Sequence, residues 1–346
     1  MSIKVGIPRA MMFYRYYPLW SVFFHELGAE VIVSPSTSKR LVDRGIMHAP
    51  EDTCLPVKVA MGHVEWLRDR VDLIFIPRLV HISPKYATCP KFLGLPDMMR
   101  ADVDDLPPIL DPTFDARKES FARTFVKLGR NFTWNRFKIR KAYKKATAEY
   151  DRFRKLVSSG VGVLEAIGLV GDCSALDNRD QEVAPTEIAP TKVEQAASLF
   201  VKPDASILIG VVGHPYNLYD RYTNMDLFRK LENMGAQVIT PEMLPPSVIE
   251  ETLASLERPP YWELGREIVG SVLHFLNGNA DGVIHLVSFE CGPDSLLQSL
   301  LEFENRNRCG IPYVPLVLDE HTGEAGLVTR LEAFIDMIVR KPKLVH

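Results

Sequence analysis

Three of the five cysteines stand where thiols can do chemistry. Cys54 lies in EDTCLPV, Cys89 in YATCPKF and Cys291 in FECGPDS. Each falls in a predicted loop at the edge of an α/β sheet, and two of them lie directly beside Pro or Gly, which interrupt regular elements. Thiolates converging from such loops would suit an iron–sulfur cluster or zinc. The chain has no CxxC and no ferredoxin-like run of cysteines. Spacing therefore leaves the ordinary alternative open, a buried cysteine packed as a small hydrophobe. Cys291 has the setting that best suits a reactive thiolate. It follows an apolar strand and precedes a helix start, where the helix dipole favours S⁻ over SH. Cys173 and Cys309 sit in less constrained company, and Cys309, next to Gly310 at a helix end, reads as structural.

Other groups could join a site. The loop His214-Pro215-Tyr216-Asn217 follows a strand, the usual place for ligand contacts, but it also serves as a plain turn. His321, Thr322 and Glu324 either contact a substrate or cap the last helix. His81 follows a strand and reads as an acid–base group or as a satisfied loop histidine. Glu51, Glu290 and His81 are further donors by proximity in sequence only.

These residues need elements to hold them. The central stretch is Asp281–Ser295, DGVIHLVSFECGPDS. Its apolar run Val283–Phe289 predicts a strand buried on both faces of a parallel sheet. Gly292 allows a tight turn, and Pro293 or Asp294 suits the start of the following helix. Strand–helix alternation occurs in two blocks and predicts two flavodoxin/Rossmann-like parallel-sheet domains, 1–115 and 195–346. The segment 116–194 between them reads as a helical connector. Helix-stop and strand grammar recurs at Gly28-Ala29-Glu30-Val31-Ile32-Val33 and Gly235-Ala236-Gln237-Val238-Ile239-Thr240, which suggests related halves. Arg78–Phe92 is expected as one loop, and Pro18 within the first turn of a helix over Tyr14–Leu27.

Composition narrows the function classes. A chain of 346 residues with 46% hydrophobic and 25% charged residues is that of a globular protein long enough for two cores. The net charge of −3 gives no general drive towards nucleic acid or anionic membrane. The basic, aromatic segment Phe121–Tyr150 reads as a solvated helix face rather than an RNA surface. The N-terminus lacks an apolar signal region and no apolar run is long enough to span a bilayer, so a cytoplasmic protein is expected. Five scattered cysteines do not make a disulfide framework. There is no GxxxxGK[ST], no GxGxxG after the first strand and no actin-like phosphate loop, so ATP hydrolysis by this chain is not expected.

Six motifs in order carry a resemblance over nearly the whole chain: EDTCLPVKVAMGHV, LIFIPRL, TCPKFLGLPDMMRA, GHPYNLYDRYTN, SFECGPDS and DEHTGEAGLVTRLEAF. Together they resemble the proteins related to acyl-CoA dehydratase activases, a family similar in turn to the iron–sulfur subunits of 2-hydroxyacyl-CoA dehydratases. The resemblance implies a [4Fe–4S] cluster held by Cys54, Cys89 and Cys291 between two flavodoxin-like halves, with one iron open to another ligand. It implies a separate ATP-dependent activase as electron donor, an unknown small-molecule substrate, and a dehydratase- or reductase-like enzyme component. The alternative from another class is a non-catalytic scaffold, zinc-bound or metal-free, that binds a nucleotide or acyl-CoA. Homo-oligomerisation stays open.

Overall fold

The computed structural model describes residues 2–170, 207–308 and 311–340. Cys173 and Cys309 lie outside them. The chain divides into two compact units, Met1–Val193 and Glu194–His346.

The first unit is built on a parallel sheet of β1 (Lys4–Ile7), β2 (Glu30–Val33), β3 (Leu73–Phe75) and β5 (Ile109–Leu110), in the order β2-β1-β3-β5. A small parallel pair, β4 (Arg78–His81) and β6 (Thr113–Asp115), continues beyond it. The helix Phe13–Leu27 buries both faces, with Phe24 against Phe75 and Phe23 against Phe125 at ring separations of 5.0 and 4.8 Å. Phe125 belongs to the helix Phe121–Gly129 and also meets Tyr143 of the helix Arg136–Ser158. The described middle helices thus lie over helix Phe13–Leu27 as a second layer. Lys138 Nζ donates to the Leu27 carbonyl, and Lys145 pairs with Glu26 at 2.6 Å, so part of the basic face serves internal contacts.

The second unit repeats the scheme. Its sheet contains β7 (Ile207–Val212), β8 (Ala236–Ile239), β9 (Gly282–Ser288) and β10 (Tyr313–Leu318), in the order β10-β9-β7-β8 with every pairing parallel. All seven residues of β9 are buried, as its apolar run requires. β10 lies at the edge, which lets it carry Pro315. Counted from its own first strand, each sheet reads 2-1-3-4. Finer details also recur. Asp72, just before β3, accepts from the Lys4 N–H at 2.8 Å, and Asp281, just before β9, accepts from the Leu208 N–H at 2.7 Å. Gly28 and Gly235 precede the second strands with φ of 92° and 81°, a left-handed turn that favours glycine. The expected fold class is therefore the observed one.

Two local expectations change. Arg78–Phe92 is not one loop, because Arg78–His81 pairs with Thr113–Asp115, a partner far away in sequence, and Pro90 opens the helix Pro90–Asp102. Pro18 lies inside helix Phe13–Leu27 rather than in its first turn, since the helix begins at Phe13.

Helix Leu55–Leu67 is held by two devices. Its Gly62 meets Gly45 of helix Lys39–His48 so closely that a Cβ on Gly62 would overlap the Leu41 carbonyl, and one on Gly45 the Lys58 carbonyl. Its buried His63 bonds Ser34 Oγ through Nδ1 at 2.8 Å and Thr37 Oγ1 through Nε2 at 2.9 Å, while Ser34 Oγ accepts from the Arg9 N–H at 2.8 Å. Gly62→Ala should destabilise the protein by about 1–3 kcal/mol through overpacking. A denaturant midpoint unchanged from wild type would contradict this backbone-to-backbone packing.

Candidate functional site

All three predicted cysteines are N-cap residues. Cys54 caps Leu55–Leu67, Cys89 caps Pro90–Asp102 and Cys291 caps Gly292–Asn307. Each has proline in the first or second helical position, where its missing N–H costs nothing. Their φ/ψ pairs are −60/144°, −58/139° and −89/102°, all extended just before the helix. None of the three side chains makes the capping hydrogen bond. The sulfurs therefore stand at helix ends whose N–H groups supply partial positive charge, a setting that favours thiolate. Cys54 and Cys291 are buried, Cys89 is half-buried, and none is in a disulfide.

Local structure fixes each cap. Thr88, just before Cys89, donates through its N–H to Val80 O at 3.0 Å and is thereby tied to β4. Before Cys291 the chain turns through Glu290 in the left-handed region, φ 60°, and the Cys291 N–H returns to Ser288 O at 3.2 Å. The helices capped by Cys54 and Cys89 share one apolar pocket, lined by Ala60 and Val64 of the first and by Phe92, Leu95 and Met99 of the second. Ile7 and Phe75, at the carboxyl ends of β1 and β3, line it too. Two of the three cysteine helices are thus brought to the switch point of the first sheet, where open α/β sheets bind ligands. Cys291 belongs to the second unit, at the carboxyl end of β9.

There it has buried polar company. His214 follows β7, the neighbour of β9, and its Nε2 lies 2.8 Å from Asp294 Oδ1. The other oxygen of Asp294 accepts from the Ser288 N–H at 3.0 Å. Ligand atoms of His214, Cys291 and Asp294 all fall within 4.8 Å of one another, a buried nitrogen–sulfur–oxygen set able to bind a metal. The Tyr216 ring stacks on His214 at 5.0 Å and 27°. Ser288 Oγ donates to Asn217 Oδ1 at 3.0 Å. Below, His285 Nδ1 lies 2.9 Å from the Tyr313 hydroxyl. Burial by itself would raise the Asp294 carboxyl, but the charge and hydrogen bond of His214, with His285 and the Ser288 N–H, hold it below the usual carboxylate range. Burial also keeps His285 uncharged down to about 4, against the pull of Asp294.

The remaining candidates are occupied by structure. His81 Nδ1 lies 2.9 Å from Asp115 Oδ1, which also accepts from the Arg117 N–H. Thr322 Oγ1 donates to Asp319 Oδ1, and Glu324 pairs with Lys230 at 2.7 Å. Glu51 and Glu290 are exposed. Sequence reasoning assigned Asp294 only a helix start and passed over His285. The signal was available in the acidic residue three positions after Cys291, but its partners, His214 and Ser288, come from strand ends that only the fold brings near.

His285 has a pH signature. An unfolded histidine takes up a proton from about pH 6.5 downward, whereas the folded one does so only near 4. Stability is therefore complete above the unfolded value and is lost as pH falls through this window, by about 1.4 kcal/mol at pH 5.5. His63, pushed down to about 3 by burial and the Arg9 charge, adds a parallel loss. Denaturant midpoints at pH 7.5 and 5.5 should show His285→Gln losing about 1.4 kcal/mol less than wild type. Equal losses would show that His285 does not titrate in this window.

No helix among the described residues is long and apolar enough to cross a membrane. No curated protein matches the chain. A family comparison does match, over residues 4–244, well over half of the sequence. It spans the N-terminal sheet, Cys54, Cys89 and the His214 loop, and so the chain belongs to the CoA enzyme activase uncharacterised domain family.

Proposed function

We propose that this protein is an iron–sulfur component of a CoA-linked reductive system. Cys54, Cys89 and Cys291 hold a [4Fe–4S]-type cluster, and a separate ATP-dependent activase supplies its electrons. The observation that carries the reading is that all three thiols cap helices and none is used as a capping group. This donor chemistry fits the group, because thiolate ligands and an anionic cluster both gain from the positive field of helix N-termini. When bound, such a cluster supplies one-electron reduction, and an iron without a cysteine ligand can also polarise a substrate oxygen. The chain's own part is to hold the sulfurs deprotonated and shielded from water, with Cys54 and Cys291 buried. The substrate is a small molecule, and the family's description points towards CoA chemistry.

A second reading draws on the set His214, Cys291 and Asp294. Its mixed donors also suit zinc, which would make the protein a non-catalytic scaffold for a nucleotide or acyl-CoA. Anaerobic purification followed by iron, sulfide and zinc analysis separates the two. The iron–sulfur reading expects about four irons and four sulfides per chain, with most of the iron lost in Cys54→Ala, Cys89→Ala and Cys291→Ala and retained in Cys309→Ala. Protein that stays colourless after anaerobic reconstitution, or that carries stoichiometric zinc, would overturn it.

A further inference from the structure

Two stretches of the chain carry charge of one sign only. Residues 120–148 hold nine Lys and Arg and no Asp or Glu, whereas residues 267–305 hold six Asp and Glu and no Lys or Arg. Each stretch also exposes large apolar side chains. Trp134 and Phe137 are both 83% exposed, and Phe289, Leu296 and Phe303 are 50%, 62% and 60% exposed.

The basic stretch presents its aromatics on a fixed support. Trp134 and Phe137 lie at the start of helix Arg136–Ser158, where the Asn135 side chain accepts from the N–H groups of Phe137 and Lys138. Phe132 packs on Phe24 at a ring separation of 5.5 Å and Ile139 is fully buried, so the turn is pinned on both sides. Arg130, Arg136, Arg140 and Lys144 are exposed and form no ion pair among the described residues. In the acidic stretch, Leu296 and Phe303 share one face of helix Gly292–Asn307. Phe289 and the exposed Glu290 precede that helix, and Glu302 lies beside Phe303 in sequence. Single exposed apolar residues are ordinary, but a Trp–Phe pair among arginines has the composition of an interface anchor. The same face of another molecule cannot cover it, because like charges would be opposed. A surface of the opposite sign, with an apolar stripe of its own, is present on this polypeptide.

We propose that the protein self-associates, with the Trp134–Phe137 face of one copy seated on the Phe289–Leu296–Phe303 face of a second copy. The aromatics leave water against the helix stripe, and Arg136 and Arg140 meet the carboxylates of Glu290 and Glu302. The contact does not depend on what the cysteines bind.

Sedimentation velocity on the intact chain tests it. The expected result at micromolar concentration and low salt is a mass at least twice that of the 39.1 kDa chain, falling towards the single-chain value at high salt. Trp134→Ser with Phe137→Ser, and separately Leu296→Ser with Phe303→Ser, should each weaken association by at least about tenfold with circular dichroism unchanged. Arg136→Glu with Arg140→Glu should sediment as a single chain, and so should Glu290→Lys with Glu302→Lys. An equimolar mixture of these two charge-reversed proteins should associate again, which misfolded variants would not do. A wild type that stays a single chain at every concentration, or association that survives both the aromatic and the charge substitutions, overturns the proposal. So does a single chain that co-sediments with phosphatidylserine vesicles and loses this on Trp134→Ser, since the face would then belong to a lipid surface.

Discussion

Three candidate cysteines stand at helix N-termini, where the backbone N–H groups supply partial positive charge. Each cysteine is the last extended residue before a helix of at least 13 residues. The prolines that follow stiffen the entry without removing a needed N–H. Much of the remaining architecture keeps those helix ends in place. The Gly45–Gly62 contact and the His63–Ser34–Arg9 bonds anchor the helix that Cys54 begins. Thr88 ties the Cys89 cap to β4. The fully buried strand β9 and the left-handed Glu290 aim the Cys291 cap.

The two units share one plan but differ in the residues at the carboxyl ends of their central strands. Both sheets read 2-1-3-4, and in both an aspartate before the third strand holds the start of the first. At the switch point of the first sheet this plan leaves a cavity of about 30 Å³ lined by apolar side chains including Met11, Trp20 and Met99. The corresponding place in the second unit is polar: His214 follows the first strand of that sheet, and Cys291 and Asp294 follow the third.

How far the sequence could be read follows from the range of each interaction. The apolar run Val283–Val287 announces a buried strand by itself, and Gly28-Ala29 and Gly235-Ala236 announce a helix stop and a strand, so the two-sheet fold was legible. The cysteines were legible as loop residues, because Pro90 and Gly292 mark the end of one element and the start of another. β4 was not, since Arg78–His81 becomes a strand only by pairing with Thr113–Asp115. Asp294 was legible as a helix-start acid. Its grip on His214, 80 positions earlier, depends on β7 and β9 being neighbours in the sheet. His81 read equally as an acid–base group or a satisfied loop histidine, because its partner Asp115 was equally remote in sequence.

The central claim is that the three N-cap cysteines share one iron–sulfur centre. Anomalous diffraction at the iron edge from anaerobically grown crystals of the intact chain tests it most directly. The account predicts one compact iron peak bonded to the sulfurs of Cys54, Cys89 and Cys291 together. Iron bonded at Cys291 with neither Cys54 nor Cys89, or no iron at any of the three, would contradict it.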